Sequence, residues 1–362
     1  MKSDRLMLRS ARLVTAAATA VAALGAGCGD DPAAPTDQAG VSKAMQSSLT
    51  SDLTALHQAA VDLQAAAPTG HAWSASADGS AISSMKAAWV RARAAYEHVE
   101  GAIAPIFPEF DAAIDERYDG FLADIGPTGD TNLFDGTGVT GMHAIERVLY
   151  SDAIPANVVA FEASLPGYKV AAFPATTEEA AAFKDGLAAQ FVTDTQTLLD
   201  QWTHGAAPDV SGAFQGLIGL MNEQQEKVNN AATGEEESRY AQTTMADLRA
   251  NLDGTSKIYG LFRGWLATKP ATGALPAGTA VDASITSKMS DLKALYLTIS
   301  GDAIPAPPAT WSAENPSAAD LATPFGTLYQ AVHQAVDPAD AESVVGQMDQ
   351  AAMLLGIPGF AP

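Results

Sequence analysis

The chain has 362 residues, of which 47% are hydrophobic and 7% aromatic, with one cysteine and a formal net charge of −22 at pH 7. A single cysteine excludes an intrachain disulfide and a thiolate metal cluster, so any metal site must use oxygen and imidazole donors. The acidic balance disfavours nucleic acid and anionic head groups as partners and concentrates cations around the molecule.

The first element in chain order is a leader. Lys2, Arg5, Arg9 and Arg12 form a basic start, Leu13 to Gly25 form an apolar stretch, and Cys28 follows small residues. That order predicts a secretory signal, because the apolar stretch is too short to span a bilayer. Leu24-Gly25-Ala26-Gly27 ahead of Cys28 resembles a bacterial lipobox, although the large aliphatic lies four residues before the cysteine rather than three. The expectation is a lipoprotein signal over 1–28, a lipidated Cys28 and a polar tether over 29–40. The body is then held at a membrane by lipid, in the cell envelope, facing the periplasm or the outer surface.

The remainder is rich in Ala and Leu and poor in alternating β-branched residues, which predicts an all-α fold. A helix is expected over 41–67, ending before Pro68. A second begins near Ser83 and carries Trp89, Tyr96, Val99 and Ile103 at helical spacing, ending around Pro105 or Pro108. Residues 109–140 hold Gly126-Pro127, Gly129-Asp130 and Asp135-Gly136 and are expected to be irregular, and a loop of that length is usually functional. A short helix is expected from Gly141 to Tyr150. Thr176 with Glu179 fits a capping box opening a helix to about Trp202. Further helices are expected near 210–231, 235–267, 281–299, 318–334 and 338–355. The breaks suggest two packed four-helix-type bundles, one over 41–170 and one over 171–362.

Three groups of residues carry candidate chemistry. His143 and Glu146 sit at i and i+3, so an imidazole and a carboxylate can reach one ion from neighbouring turns. Taken alone, an HxxE pair is weak, since one arises by chance in roughly a quarter of chains of this composition. Glu97 and Glu100 repeat the i, i+3 spacing, and Arg93 lies four residues before Glu97, placed either as a solvated pair or as an orienting cation. The acids Glu109, Asp111, Asp115, Glu116 and Asp119 could add an oxygen ligand. Glu223-Gln224-Gln225-Glu226, flanked by Asn222 and Lys227, reads as a polar helix face.

Together these blocks resemble the imelysin family, including its EfeO/EfeM-type iron-uptake members. The resemblance rests on Trp89-x-Arg91-Ala92-Arg93-x-x-Tyr96-Glu97-x-x-Glu100 with Phe110-Asp111-x-x-Ile114-Asp115, on Gly141-x-His143-x-Ile145-Glu146 as the GxHxxE motif, and on Tyr240-Ala241-x-x-Thr244-x-Ala246-Asp247-Leu248-x-Ala250-Asn251-Leu252-Asp253-Gly254. It implies a double helical bundle with a metal site between helices. His143, Glu146, Glu97 and Asp115 take the ligand positions, with Glu100 and Asp111 as competitors. The cupredoxin domain of longer members has no counterpart in the sequence.

Oxygen donors with one nitrogen suit Fe(III), Fe(II), Mn(II) or Zn(II), and calcium remains compatible with the carboxylates. Protonation of the ligands should release the ion below about pH 5. The expected function is capture of iron for an inner-membrane permease. A metallopeptidase and a surface-interaction lipoprotein with a structural or decayed metal site are the alternatives. HExxH is absent: Ala144 stands where its Glu would be and Arg147 where its second His would be, so no general base is evident.

Overall fold

The computed structural model describes residues 34–359. The leader, Cys28 and the first part of the tether lie outside the described residues. Among the described residues the architecture is all-α, the only β pairing being an isolated bridge between Thr272 and Leu275. No described helix is long and apolar enough to cross a membrane.

Helix α1 (Gln38–Ala66) starts inside the segment expected to be tether, because the Asp37 carboxylate accepts the Gly40 N–H at 2.8 Å. Val41, Met45, Leu49, Leu53, Leu56, Ala60 and Leu63 form its fully buried stripe, at the spacing of one helical face. Each large side chain buried in this way contributes about 1.5–3 kcal/mol. Helix α2 (Ala75–Glu97) begins earlier than Ser83: Ser74 Oγ accepts the Ala77 N–H at 3.1 Å, and Asp78 Oδ2 accepts the Ser74 N–H at 2.9 Å. Two otherwise orphaned donors are thereby satisfied.

The region expected to be a long irregular loop is partly helical. After α3 (Glu100–Ile106), Pro108 opens α4 (Pro108–Asp115), followed by α5 (Tyr118–Ile125). Proline is harmless at a first helical position, where its missing N–H would have no partner. Beyond the short break at 116–117, regular structure is missing from 126 to the start of α6 (Gly141–Leu149).

A short α7 (Ala156–Glu162) follows, then α8 (Thr177–Ala182), a π-helical turn at Phe183–Leu187 and α9 (Ala188–His204). Thr176 Oγ1 accepts the Glu179 N–H, and the Glu179 carboxylate returns to the Ala175 N–H. The cap therefore forms with its return bond one residue earlier than a capping box would place it.

Helices α10 (Val210–Asn230) and α11 (Thr244–Ala267) come next, then α12 (Gly278–Thr298), α13 (Ala318–Leu321), α14 (Pro324–Val336) and α15 (Val344–Leu355). The start of α11 falls well after 235. Residues 235–243 form turns instead, with Gln242 at φ 56°. Elements on either side of residue 170 pack on one another, α1 with α9 and α3 with α10. Helix α6 packs on α2, α4 and α9, and every one of its residues is buried.

Candidate metal centre

Helix α6 begins where α4 ends. Gly141 has φ +78°, and a Cβ there would lie 2.6 Å from the Ile114 carbonyl oxygen and 2.7 Å from that of Ala113. Only glycine adopts this left-handed conformation without strain and lets the two backbones touch. The glycine of GxHxxE therefore sets the separation of Asp115, at the end of α4, from His143, one turn into α6. Gly141→Ala is expected to cost about 1–3 kcal/mol of stability, measurable by urea denaturation, and to push Asp115 away from the imidazole.

His143 is 1% exposed and Glu146 is fully buried. The imidazole Nδ1 lies 2.9 Å from Glu146 Oε2. On the other side, Nε2 lies 3.4 Å from Asp115 Oδ1 and 3.2 Å from Glu237 Oε1. The ligand atoms of Asp115, His143 and Glu237 all lie within 4.8 Å of one another. Around a tetrahedral first-row ion, with bonds of about 2.0–2.2 Å, neighbouring donors are about 3.3–3.6 Å apart. The separations of Asp115 Oδ1 and Glu237 Oε1 from Nε2 are close to that spacing.

Glu146 is committed elsewhere. Its Oε1 accepts the N–H of Tyr240 at 3.0 Å and of Ala241 at 2.7 Å, while its Oε2 faces Nδ1. It ties the 235–243 turn to α6 and fixes the ring so that Nε2 points at Asp115 and Glu237. Carboxylates that support a ligating histidine typically stand in this position.

Glu97 joins the same buried cluster through cations rather than through His143. Its oxygens contact the Arg93 guanidinium, and Lys227 Nζ lies 3.2 Å from Oε2. Arg93 also contacts Asp115 and lies 2.9 Å from Glu237 Oε1. Lys227 is 3.1 Å from Glu223 and donates to Asn251 Oδ1 at 2.9 Å. Both cations are essentially buried.

Glu100 accepts from Asn251 Nδ2 at 2.9 Å, and Asp111 accepts from the Tyr96 hydroxyl. Neither touches His143. Both line a cleft of about 680 Å³ that reaches Asp115 and Glu237, with Glu116, Glu223 and Glu226 on its walls.

The electrostatics follow from this crowding. Burial alone would push the His143 imidazole down, but hydrogen bonds to Asp115, Glu146 and Glu237 outweigh it and raise the imidazole well above the ordinary histidine value. Burial lifts the Glu97 carboxyl to about 8 against the pull of Arg93 and Lys227. Burial also raises Glu146, opposed by His143, and lifts Asp111 to about 6 despite the Tyr96 hydrogen bond. At Glu237 burial is overcome by Lys227, Arg93 and His143, which hold the carboxyl well below the usual range. The cluster thus contains more buried carboxylates than permanent cations, an imbalance that a multivalent ion would relieve.

Sequence reasoning missed Glu237. Residues 235–267 read as one helix, and nothing in Glu235-Glu236-Glu237 marks the third acid. Its position follows from the Glu146 bonds to Tyr240 and Ala241, which replace helical hydrogen bonds. The 222–227 segment is also more than a polar face: Gln224 and Lys227 are buried between packed helices, while Asn222 and Glu226 keep the expected exposed character, Glu226 paired with Arg117 at 3.1 Å. In the 240–254 block, Asp247 accepts from Ser238 Oγ at 2.5 Å, and Asn251 bridges Lys227 and Glu100. A Cβ at Gly254 would meet the His98 backbone at 2.6 Å, so the glycine lets α11 approach the end of α2.

Over 177 residues the chain is 30% identical to the iron uptake system component EfeO of Yersinia pseudotuberculosis, a match covering 48% of this chain and 36% of that protein. Over 182 residues it is 27% identical to the protein of the same name from Escherichia coli strain K12, covering 50% of this chain and 38% of the relative. The matched stretch is therefore less than two fifths of the length of these relatives. The imelysin family model matches residues 47–310, most of the described chain and all of the residues around His143. On that match the chain belongs to the imelysin family.

Proposed function

We propose that this protein is a cell-envelope metal-binding lipoprotein that captures iron for uptake. The observation that carries the reading is the approach of Asp115 Oδ1 and Glu237 Oε1 to His143 Nε2, with both carboxylates lining an acidic cleft. In this reading those three groups face the ion. Glu146 orients the imidazole from behind, and Glu97 balances Arg93 and Lys227 beside the site. Two oxygen donors and one nitrogen suit an iron-class ion and leave coordination positions for water or for further carboxylates. Glu100 and Asp111, on the cleft wall, guide a hydrated cation inward.

The leader and Cys28 support attachment to a membrane through lipid. The iron-uptake names of the EfeO relatives support delivery of the ion to an inner-membrane permease. The peptidase alternative lacks support in the local chemistry. Glu146 spends both oxygens on His143 and two backbone amides, so it is not free to activate water.

Metal analysis of the purified protein tests the reading. One iron per chain, lost in His143→Ala and released on acidification, is the expected result. Absence of bound metal after loading with iron, zinc or manganese would refute it. Glu146-dependent cleavage of casein would favour the peptidase instead.

A further inference from the structure

The Arg93 guanidinium lies where the proposed ion would exert its charge. One of its terminal nitrogens contacts Asp115 Oδ1 and the other lies 2.9 Å from Glu237 Oε1. These are the two oxygens that, with His143 Nε2, form the candidate ligand set. An ion bonded to both at about 2.0–2.2 Å would compete with Arg93 for the same lone pairs and would repel it at close range.

Arg93 has somewhere to go. Glu97, one turn along α2, already contacts it. Its Nε is buried and has no hydrogen-bond partner, with Asp247 Oδ1 3.5 Å away. An unsatisfied buried donor on a charged group is costly, and a small shift of the side chain towards Asp247 would satisfy it. Arg93 is thus flanked by two carboxylates that belong to the metal set and by two that do not.

We propose that Arg93 is a displaceable internal counter-cation: it holds Asp115 and Glu237 together before loading, and the incoming ion drives it onto Glu97 and Asp247. This inference rests on the metal-binding reading above and adds to it the residue that sets the affinity. It assigns Arg93 a role opposite to that of a supporting residue. Removing its charge should tighten metal binding even as it weakens the metal-free fold, because the ion would no longer have to expel a cation.

The test uses zinc(II) as a diamagnetic probe. In a competition titration, Arg93→Gln is expected to bind zinc roughly tenfold or more tightly than wild type, about the effect of removing 1.4 kcal/mol of repulsion. Unchanged or weaker binding by the folded variant would overturn the inference. Should Arg93→Gln fail to fold, the Nε–H resonance of Arg93 in the wild-type protein, assigned with Arg93→Lys, carries the test. It should move on zinc loading and exchange more slowly with solvent as it gains Asp247. A resonance that stays in place while zinc binds would overturn this inference alone. A wild-type protein that takes up no zinc, iron or manganese would remove the metal-binding reading and this inference with it.

Discussion

Glu146→Ala is expected to be the most damaging single substitution at the site. The carboxylate is fully buried and satisfies three donors: His143 Nδ1, Tyr240 N and Ala241 N. Its removal leaves the imidazole Nδ1 and two backbone amides without partners. Breaking a buried charge pair by deleting one partner costs about 3–5 kcal/mol, so the variant should unfold at markedly lower urea concentration. Glu146→Gln keeps an oxygen for the two amides and should recover part of this loss. Because the imidazole loses its orienting partner, metal affinity should also fall by about 10–100-fold. A Glu146→Ala protein as stable as wild type would show that the 235–243 turn is held by other contacts.

The second large effect concerns the donors themselves. His143→Ala and Glu237→Ala should each weaken metal binding by more than about 100-fold, since loss of a ligand exceeds the effect of losing an orienting group. Their stability effects should differ. His143→Ala leaves Glu146 with its two backbone bonds but without the imidazole. Glu237→Ala frees Arg93 from one of its partners while Asp115 and Glu97 remain. Isothermal titration with iron or zinc, paired with urea denaturation, separates binding loss from unfolding. Retained affinity in Glu237→Ala would mean that the third donor is another carboxylate, with Glu97 the nearest alternative across Arg93.

The difference between these residues explains what could be read from sequence. The helical class was legible because Val41 to Leu63 repeat at the helical period through α1; the segment from Trp89 to Ile103, expected as one helix, is divided between α2 and α3 by a turn at His98 and Val99. His143 and Glu146 were legible because a short motif fixes both identity and spacing. The start of α2 was misread because Ser74 and Asp78 form their cap outside any apolar pattern. Helices α4 and α5 were hidden by proline and glycine signals on either side, although Pro108 proved to be a start signal.

Glu237 was hidden for a different reason. Its placement depends on a bond across 94 positions in sequence, between Glu146 and the turn that carries it. No local pattern can encode such a partner. Lys227 and Arg93 illustrate the same limit: Lys227 read as part of a polar face and Arg93 as the partner of Glu97 alone, whereas carboxylates from three or more separate segments converge on each.

Anomalous diffraction at the iron edge from crystals of the iron-loaded protein tests the central claim most directly. The expected result is one peak at about 2.0–2.3 Å from His143 Nε2 and from oxygens of Asp115 and Glu237, with Glu146 on the opposite side of the ring. A peak elsewhere, or one whose ligands include neither His143 nor Glu237, would contradict it.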